Sequence, residues 1–183
     1  MTLTMNLIDC SYFYRGPLQI ENAQGTDDIN NNSAAVQEAI TGYIEHYQGE
    51  FLEKMVGAAV AEQVVYHLAA VEAYEQALAN AEDGEVVEPY VDEDAEELCE
   101  KLRQSFAHYV YFKMVGDVNQ TMTITGLVRL KSANDNQPPR QRMVSVWNHM
   151  VELNKKFVKW AETSSYEVYY HVSMVTTINQ FNL

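Results

Sequence analysis

A chain of 183 residues with 47% apolar side chains is long enough to bury a core as one domain, and no run of about 18 uncharged apolar residues offers a membrane span. Twelve Lys and Arg stand against 26 Asp and Glu, and the resulting net charge of −14 repels phosphate, which argues against a reader of DNA grooves. The opening MTLTMNLIDC lacks a basic leader and meets Asp9 early, against a secretory signal, while Cys10 and Cys99 are isolated thiols of the kind expected in a reduced, cytoplasmic setting.

Residues 1–32 read as an irregular N-terminal arm. Gly16-Pro17 marks a turn, and GTDDINNNS is polar without periodicity. A helical core is expected over 33–163. Asn32 or Ser33 can accept from the first free amides of a helix that runs to about Tyr47, with Val36, Ile40, Tyr43, Ile44 and Tyr47 on one face. GEFLEKMVG, between Gly49 and Gly57, reads as a separate short helix. A longer one spans about Ala58 to Ala81, with a seam of Val60, Val64, Leu68, Val71, Tyr74 and Leu78.

Residues 82–100, EDGEVVEPYVDEDAEELCE, hold ten acids and no base. A solvated link and an acidic helix start is the simpler reading, because Asp92 and Asp94 lack the glycine and closing glutamate of a calcium loop. A third long helix starts near Asp92, its first-turn acids favouring the positive end of the helix dipole. Leu98, Leu102, Phe106, Tyr109 and Val110 form its stripe. The last long helix opens at Pro138-Pro139 and continues to about Glu162, a length of about 33 Å. It carries Met143, Val146, Trp147, Met150, Leu153, Phe157 and Trp160, with Lys155, Lys156 and Lys159 near its C-terminal end.

Between these two helices lies DVNQTMTITGLVRLKSANDNQPP. Met122, Ile124, Val128 and Leu130 alternate with Thr121, Thr123, Thr125 and Arg129, which is strand spacing, and Gly126 is placed to turn or bulge the chain. A small β-hairpin or ribbon over 119–131 is therefore expected. It is too small to stand alone, so it either folds back on its own helices or adds its edge to a neighbour. Residues 164–183 form an extended docking segment: SSYEVYYHVSMVTTINQFNL is β-branched and aromatic, with one acid and no Lys or Arg. It suits either a strand of this subunit or a tail that pairs with another. The fold class is thus mainly α, a helical bundle with a small ribbon and an extended C-terminal segment.

Signs of chemistry are sparse. The eight glycines never fall closer than seven residues apart, so no GxGxxG or Walker loop is possible. His46, His67, His108, His149 and His171 are scattered singly, and neither HExxH nor GxSxG occurs. A Cys99–His108 pair has no support in the spacing. No catalytic residue, cofactor or metal is assigned, and an enzyme is not expected.

The chain resembles the head–tail connector (adaptor) proteins of tailed double-stranded DNA phages, in the divergent form found in phages of gut Bacteroidetes. The likeness covers residues 36–160. It rests on FLEKMVG (Phe51, Leu52, Lys54, Gly57), on AHYVYFKMV (Tyr109, Tyr111, Met114) running into the threonine-glycine ribbon, and on KSANDNQPPRQRMVSVWNHMVELNKKF. In the last piece Lys131, Ser132, Asn134, Met143, Val144, Trp147, Asn148, Met150 and Asn154 carry the pattern. The acidic insertion around 79–97 is longer than in that family, and the tryptophan-glycine pairing seen there is missing.

The resemblance implies a virion structural protein at the neck, present in the host cytoplasm during assembly. It implies a homo-oligomeric ring, commonly a dodecamer, that joins the portal protein to tail or stopper proteins and lines the DNA channel without sequence-specific binding, a membrane or a cofactor. The expected interface residues are Thr121, Thr123, Ile124, Thr125, Gly126, Val128 and Arg129 of the ribbon, with Tyr169, Tyr170, Val172 and Phe181 of the C-terminal segment. Residues 119–131 are expected to meet an adjacent subunit or the portal, and residues 166–183 to dock outside the helical core. The alternative is a cytoplasmic acidic helical module that recruits a basic partner through residues 82–100.

Overall fold

The computed structural model describes residues 6–24, 32–81, 86–120 and 139–181. The protein is mainly helical: α1 (Asn32–Val56), α2 (Ala58–Asn80), α3 (Glu93–Gln120) and α4 (Pro139–Ala161), with no strand among the described residues.

α1 corrects the expectation of two helices divided at Gly49. A glycine inside a helix costs about 1 kcal/mol relative to alanine. Here Ile44, Phe51, Leu52 and Met55 continue one fully buried face across it, and that burial outweighs the local cost. The true break is Gly57, whose φ of 80° is a left-handed conformation that a side chain resists. It separates α1 from α2 by a single residue.

α3 is the centre and packs on all three other helices. Asp92 caps its start, its Oδ1 accepting from the Ala95 amide at 3.0 Å, and Glu93, Asp94 and Glu96 lie in the first turn. α4 runs antiparallel to it. Climbing α3 while descending α4, Glu97 meets Trp160, Ser105 meets Asn154, His108 meets His149, and Phe112 meets Trp147. On the other side Phe51 and Tyr47 of α1 pack on Phe106 and Tyr109. The expected stripe of Leu98, Leu102, Phe106, Tyr109 and Val110 is buried throughout. The seam of α2 is buried only in its first half: Val60, Val64 and Leu68 are buried, Val71 and Tyr74 are half-buried, and Leu78 is exposed.

Both irregular ends enter the structure, which a search for periodicity does not anticipate. Residues 6–24 contain only 3-10 turns, at Cys10–Phe13 and Gly16–Leu18, yet they bury Leu7, Ile8, Phe13, Leu18, Ile20 and Ala23. Helix side chains satisfy their backbone. The Leu7 amide donates to Gln48 Oε1 at 2.6 Å, Arg103 Nε donates to the Leu7 carbonyl at 3.3 Å, and Gln37 Nε2 to the Ala23 carbonyl at 2.9 Å.

The helix α3 continues to Gln120, so Asn119 and Gln120 are helical where a ribbon was expected. Its remaining residues, with Thr121, Thr123, Ile124, Thr125, Gly126, Val128 and Arg129, lie outside the described residues. The hairpin has no support in what is described.

Candidate interface

The C-terminal segment, from Tyr166 to Phe181, forms a strap across the end of α1 and along α4. It has one 3-10 turn, Val172–Val175, and a second turn at Gln180 and Phe181, and it joins no sheet. Met174 is 0% exposed and sits in the core, so the expectation that this segment docks outside the helical core fails at that residue.

What holds the strap is a set of polar groups that read its main chain. Asn148 makes a two-point contact with Ile178: Oδ1 accepts from the amide at 2.8 Å and Nδ2 donates to the carbonyl at 3.0 Å. That is the pairing a neighbouring strand would make, supplied by one side-chain amide. Trp147 Nε1 donates to the Thr176 carbonyl at 2.9 Å. Asn154, 0% exposed, donates through Nδ2 to the Met174 carbonyl at 2.7 Å and accepts from the Ser105 hydroxyl through Oδ1. At the far end the amides of His171 and Tyr169 donate to the carbonyls of Lys54 and Val56, at 2.7 and 3.3 Å.

Gly57 belongs to the same seam. A Cβ there would lie 3.2 Å from Tyr169 Cβ and 3.3 Å from the Tyr169 carbonyl oxygen, tight enough that the strap would have to give by a few tenths of an ångström. Lys54, Gly57, Trp147, Asn148 and Asn154, which carried part of the resemblance, therefore converge on one physical task.

With its inner edge occupied, the strap turns side chains outward. Tyr169 and Val172 are 68% and 67% exposed, Tyr170 is 42% exposed, and Phe181 is open to solvent. The four expected interface residues of this segment thus lie on the surface. Glu167 accepts a hydrogen bond from the Tyr169 hydroxyl.

The acidic run is partly committed within the chain. Glu96 lies 2.8 Å from Arg103 and 3.1 Å from buried His67, whose other ring nitrogen meets the Tyr90 hydroxyl at 3.3 Å. Burial acts to raise the Glu96 carboxyl, but His67 and Arg103 outweigh it and hold the group below its usual range. Glu97 accepts from Trp160 Nε1 at 3.0 Å. Glu50, on α1, is held low in the same manner: burial is outweighed by Lys54, Tyr109 and Lys113. Among the described residues no group of three His, Cys, Asp or Glu is placed to hold a metal ion.

Cys99 and His108 stand nine residues apart on α3, about 13 Å along the axis, so they form no pair. Burial pushes the Cys99 thiol up to about 12, leaving it protonated. His108 is buried between α3 and α4, its Nδ1–H donates to the Gln104 carbonyl at 2.7 Å, and its ring lies 4.8 Å from that of His149. Burial pushes its pKa below the ordinary 6.5.

A depressed histidine contributes stability above its unfolded pKa and loses it as pH falls toward the folded value. Thermal unfolding of the protein is therefore expected to shift down between pH 7.5 and 5.5. The shift should be smaller in His108→Gln, and an equal shift in both proteins would place the effect elsewhere.

Neither Asn148 nor Asn154 is recognisable as a strap-holding residue from periodicity. Asn154 did leave a signal: it lies on the helical face defined by Met150, Val151 and Phe157, where an amide needs a buried partner. In comparisons with known proteins, no family model matches the chain, and no curated protein or solved structure matches it.

Proposed function

We propose that this chain is a structural subunit of a phage virion, a head–tail connector that closes into a ring between portal and tail proteins and borders the DNA channel. The role is mechanical and needs no bond-making step. The observation that carries this reading is the strap, which is fixed to the helices through its backbone and so presents Tyr169, Tyr170, Val172 and Phe181 as a preordered apolar edge. Exposed aromatic side chains on a fixed support lose little entropy on association. The resemblance supplies the class of assembly, and a ring, commonly of twelve copies, requires heterologous contacts in which different faces of one subunit meet.

Charge supports the same reading. A net charge of −14 keeps phosphate from adhering to a wall that DNA must slide past, with screening confining the effect to about 8–10 Å. The ribbon residues Thr121, Thr123, Ile124, Thr125, Gly126, Val128 and Arg129 are proposed to meet an adjacent subunit or the portal. In the alternative, a cytoplasmic module recruiting a basic partner through residues 82–100, the acids would need to be free. Asp92, Glu96 and Glu97 are already engaged within the chain, which weighs against it.

Light scattering on the purified chain, alone and with portal protein, tests the proposal. A ring-sized particle is expected, and the double variant Tyr169→Ser, Val172→Ser should remain helical but assemble poorly. A monomer under all conditions that binds a basic peptide through residues 82–100 would instead support the module.

A further inference from the structure

We infer that the strap is exchangeable, and that the slot formed by α4 and the end of α1 accepts residues 166–181 from a second copy of the chain. The inference rests on the ring reading and concerns how its subunits are joined.

Three features of the slot carry it. First, recognition is directed at an extended main chain. Trp147, Asn148 and Asn154 on α4, with the Lys54 and Val56 carbonyls, make their hydrogen bonds to the backbone of the strap. Such a slot does not depend on which molecule the segment comes from. Second, few side chains anchor the segment. Met174 is fully buried and Tyr166 and Val168 pack half-buried against the core, while Tyr169, Tyr170, His171, Val172, Thr176 and Thr177 are exposed, so most of its side chains give up no burial when the strap is withdrawn.

Third, the hydrogen bonds of the reversal that returns the strap onto its own α4 are local. The amides of Glu162, Thr163 and Ser164 donate to Val158, Trp160 and Ala161, and the Thr163 and Ser164 hydroxyls donate to the last two of these carbonyls. The Tyr166 amide then donates to the Ser164 hydroxyl. A turn built from the final helix turn and its own hydroxyls can open while leaving the rest of the bundle intact.

The occupant is a second copy because the slot is already complementary to this sequence, with Met174 seated at its centre. An identical segment from a neighbour makes the same contacts. The difference between closed and exchanged forms is then confined to the turn and to the concentration at which the neighbour is presented. In a ring the neighbour is held in place, and each exchange adds a link without a new contact.

A cysteine pair tests it. Lys54→Cys and His171→Cys, on a Cys10→Ser background, places a thiol on each side of the seam where the His171 amide meets the Lys54 carbonyl. After assembly, mild oxidation is expected to give a ladder of covalent multimers in denaturing gels, with circular dichroism confirming that the variant is folded. An assembled particle that yields only intrachain bonds, or strap cross-links to portal, would overturn exchange and leave the ring reading standing. Absence of any oligomer, with or without portal, would remove both. As a second measure, a fluorescent synthetic peptide of residues 166–181 should be taken up by the full chain and not by Asn154→Leu; no uptake by the unaltered chain counts against exchange.

Discussion

Replacing Phe51 by alanine is expected to lower the unfolding free energy by about 3–5 kcal/mol, the range for removing a large aromatic from a closed core. Phe51 is 0% exposed, and its ring lies 5.0 Å from that of Phe106 and 5.5 Å from that of Tyr109. All three belong to the contact between α1 and α3, where rigid helix backbones cannot collapse to fill the space. The aromatic pairs add about 0.5–1.5 kcal/mol each beyond burial. Against a typical domain stability of about 5–15 kcal/mol, this one change consumes a large share. Tyr66→Ala is the control: at 72% exposure on α2 it should shift stability by no more than about 0.5 kcal/mol. Urea titration followed by circular dichroism separates the two. A Phe51→Ala loss under 1 kcal/mol would mean that α1 does not pack on α3 as described.

Much of this core is legible in the chain because helical stripes repeat. Leu98 to Val110 could be read from spacing alone, and so could the starts of α2 and α4. Gly49 misled because propensity is a local quantity of about 1 kcal/mol, while the buried face that overrides it becomes visible only once α1 is set against α3. The N-terminal arm misled for a different reason. Leu7, Ile8, Phe13, Leu18, Ile20 and Ala23 follow neither a period of 3.6 nor one of 2, since 3-10 turns redirect the chain every few residues. Its place in the core is set by Gln37, Gln48 and Arg103, polar residues that a stripe search ignores.

The candidate interface was half visible. Composition pointed to a docked C-terminal segment, and the four residues named in it, Tyr169, Tyr170, Val172 and Phe181, lie on its exposed side. It could not show that helices would satisfy the segment's backbone in place of a sheet, because β propensity reports how a side chain fits a surface and leaves the partner unspecified. Trp147, Asn148 and Asn154 belong to the pattern that carries the resemblance, but spacing along α4 does not reveal their task. The purpose needs α3, α4 and the strap together, with Ser105 contributing from a position 49 residues earlier in the sequence.

Asn154→Leu is the second large effect and the more diagnostic one. The side chain is nearly isosteric, so little cavity forms and the loss isolates hydrogen bonding. Two buried groups lose their partner, the Ser105 hydroxyl and the Met174 carbonyl, at about 1–3 kcal/mol each. Some apolar gain offsets this, leaving an expected net loss of about 2–4 kcal/mol. Adding Ser105→Ala removes the orphaned hydroxyl and should restore part of the stability, which makes the pair non-additive. The distribution of the damage matters more than its size. Amides at His171 and Ile178 should exchange hydrogen faster because the strap is released at its centre, while amides of α3 keep an exchange rate set by global unfolding. If Asn154 merely fills space on α4, both sets will accelerate in proportion and assembly will follow stability alone. If it fixes the strap, assembly into the ring will fail at temperatures where the helices are still fully formed, and that separation of assembly from folding is the outcome expected.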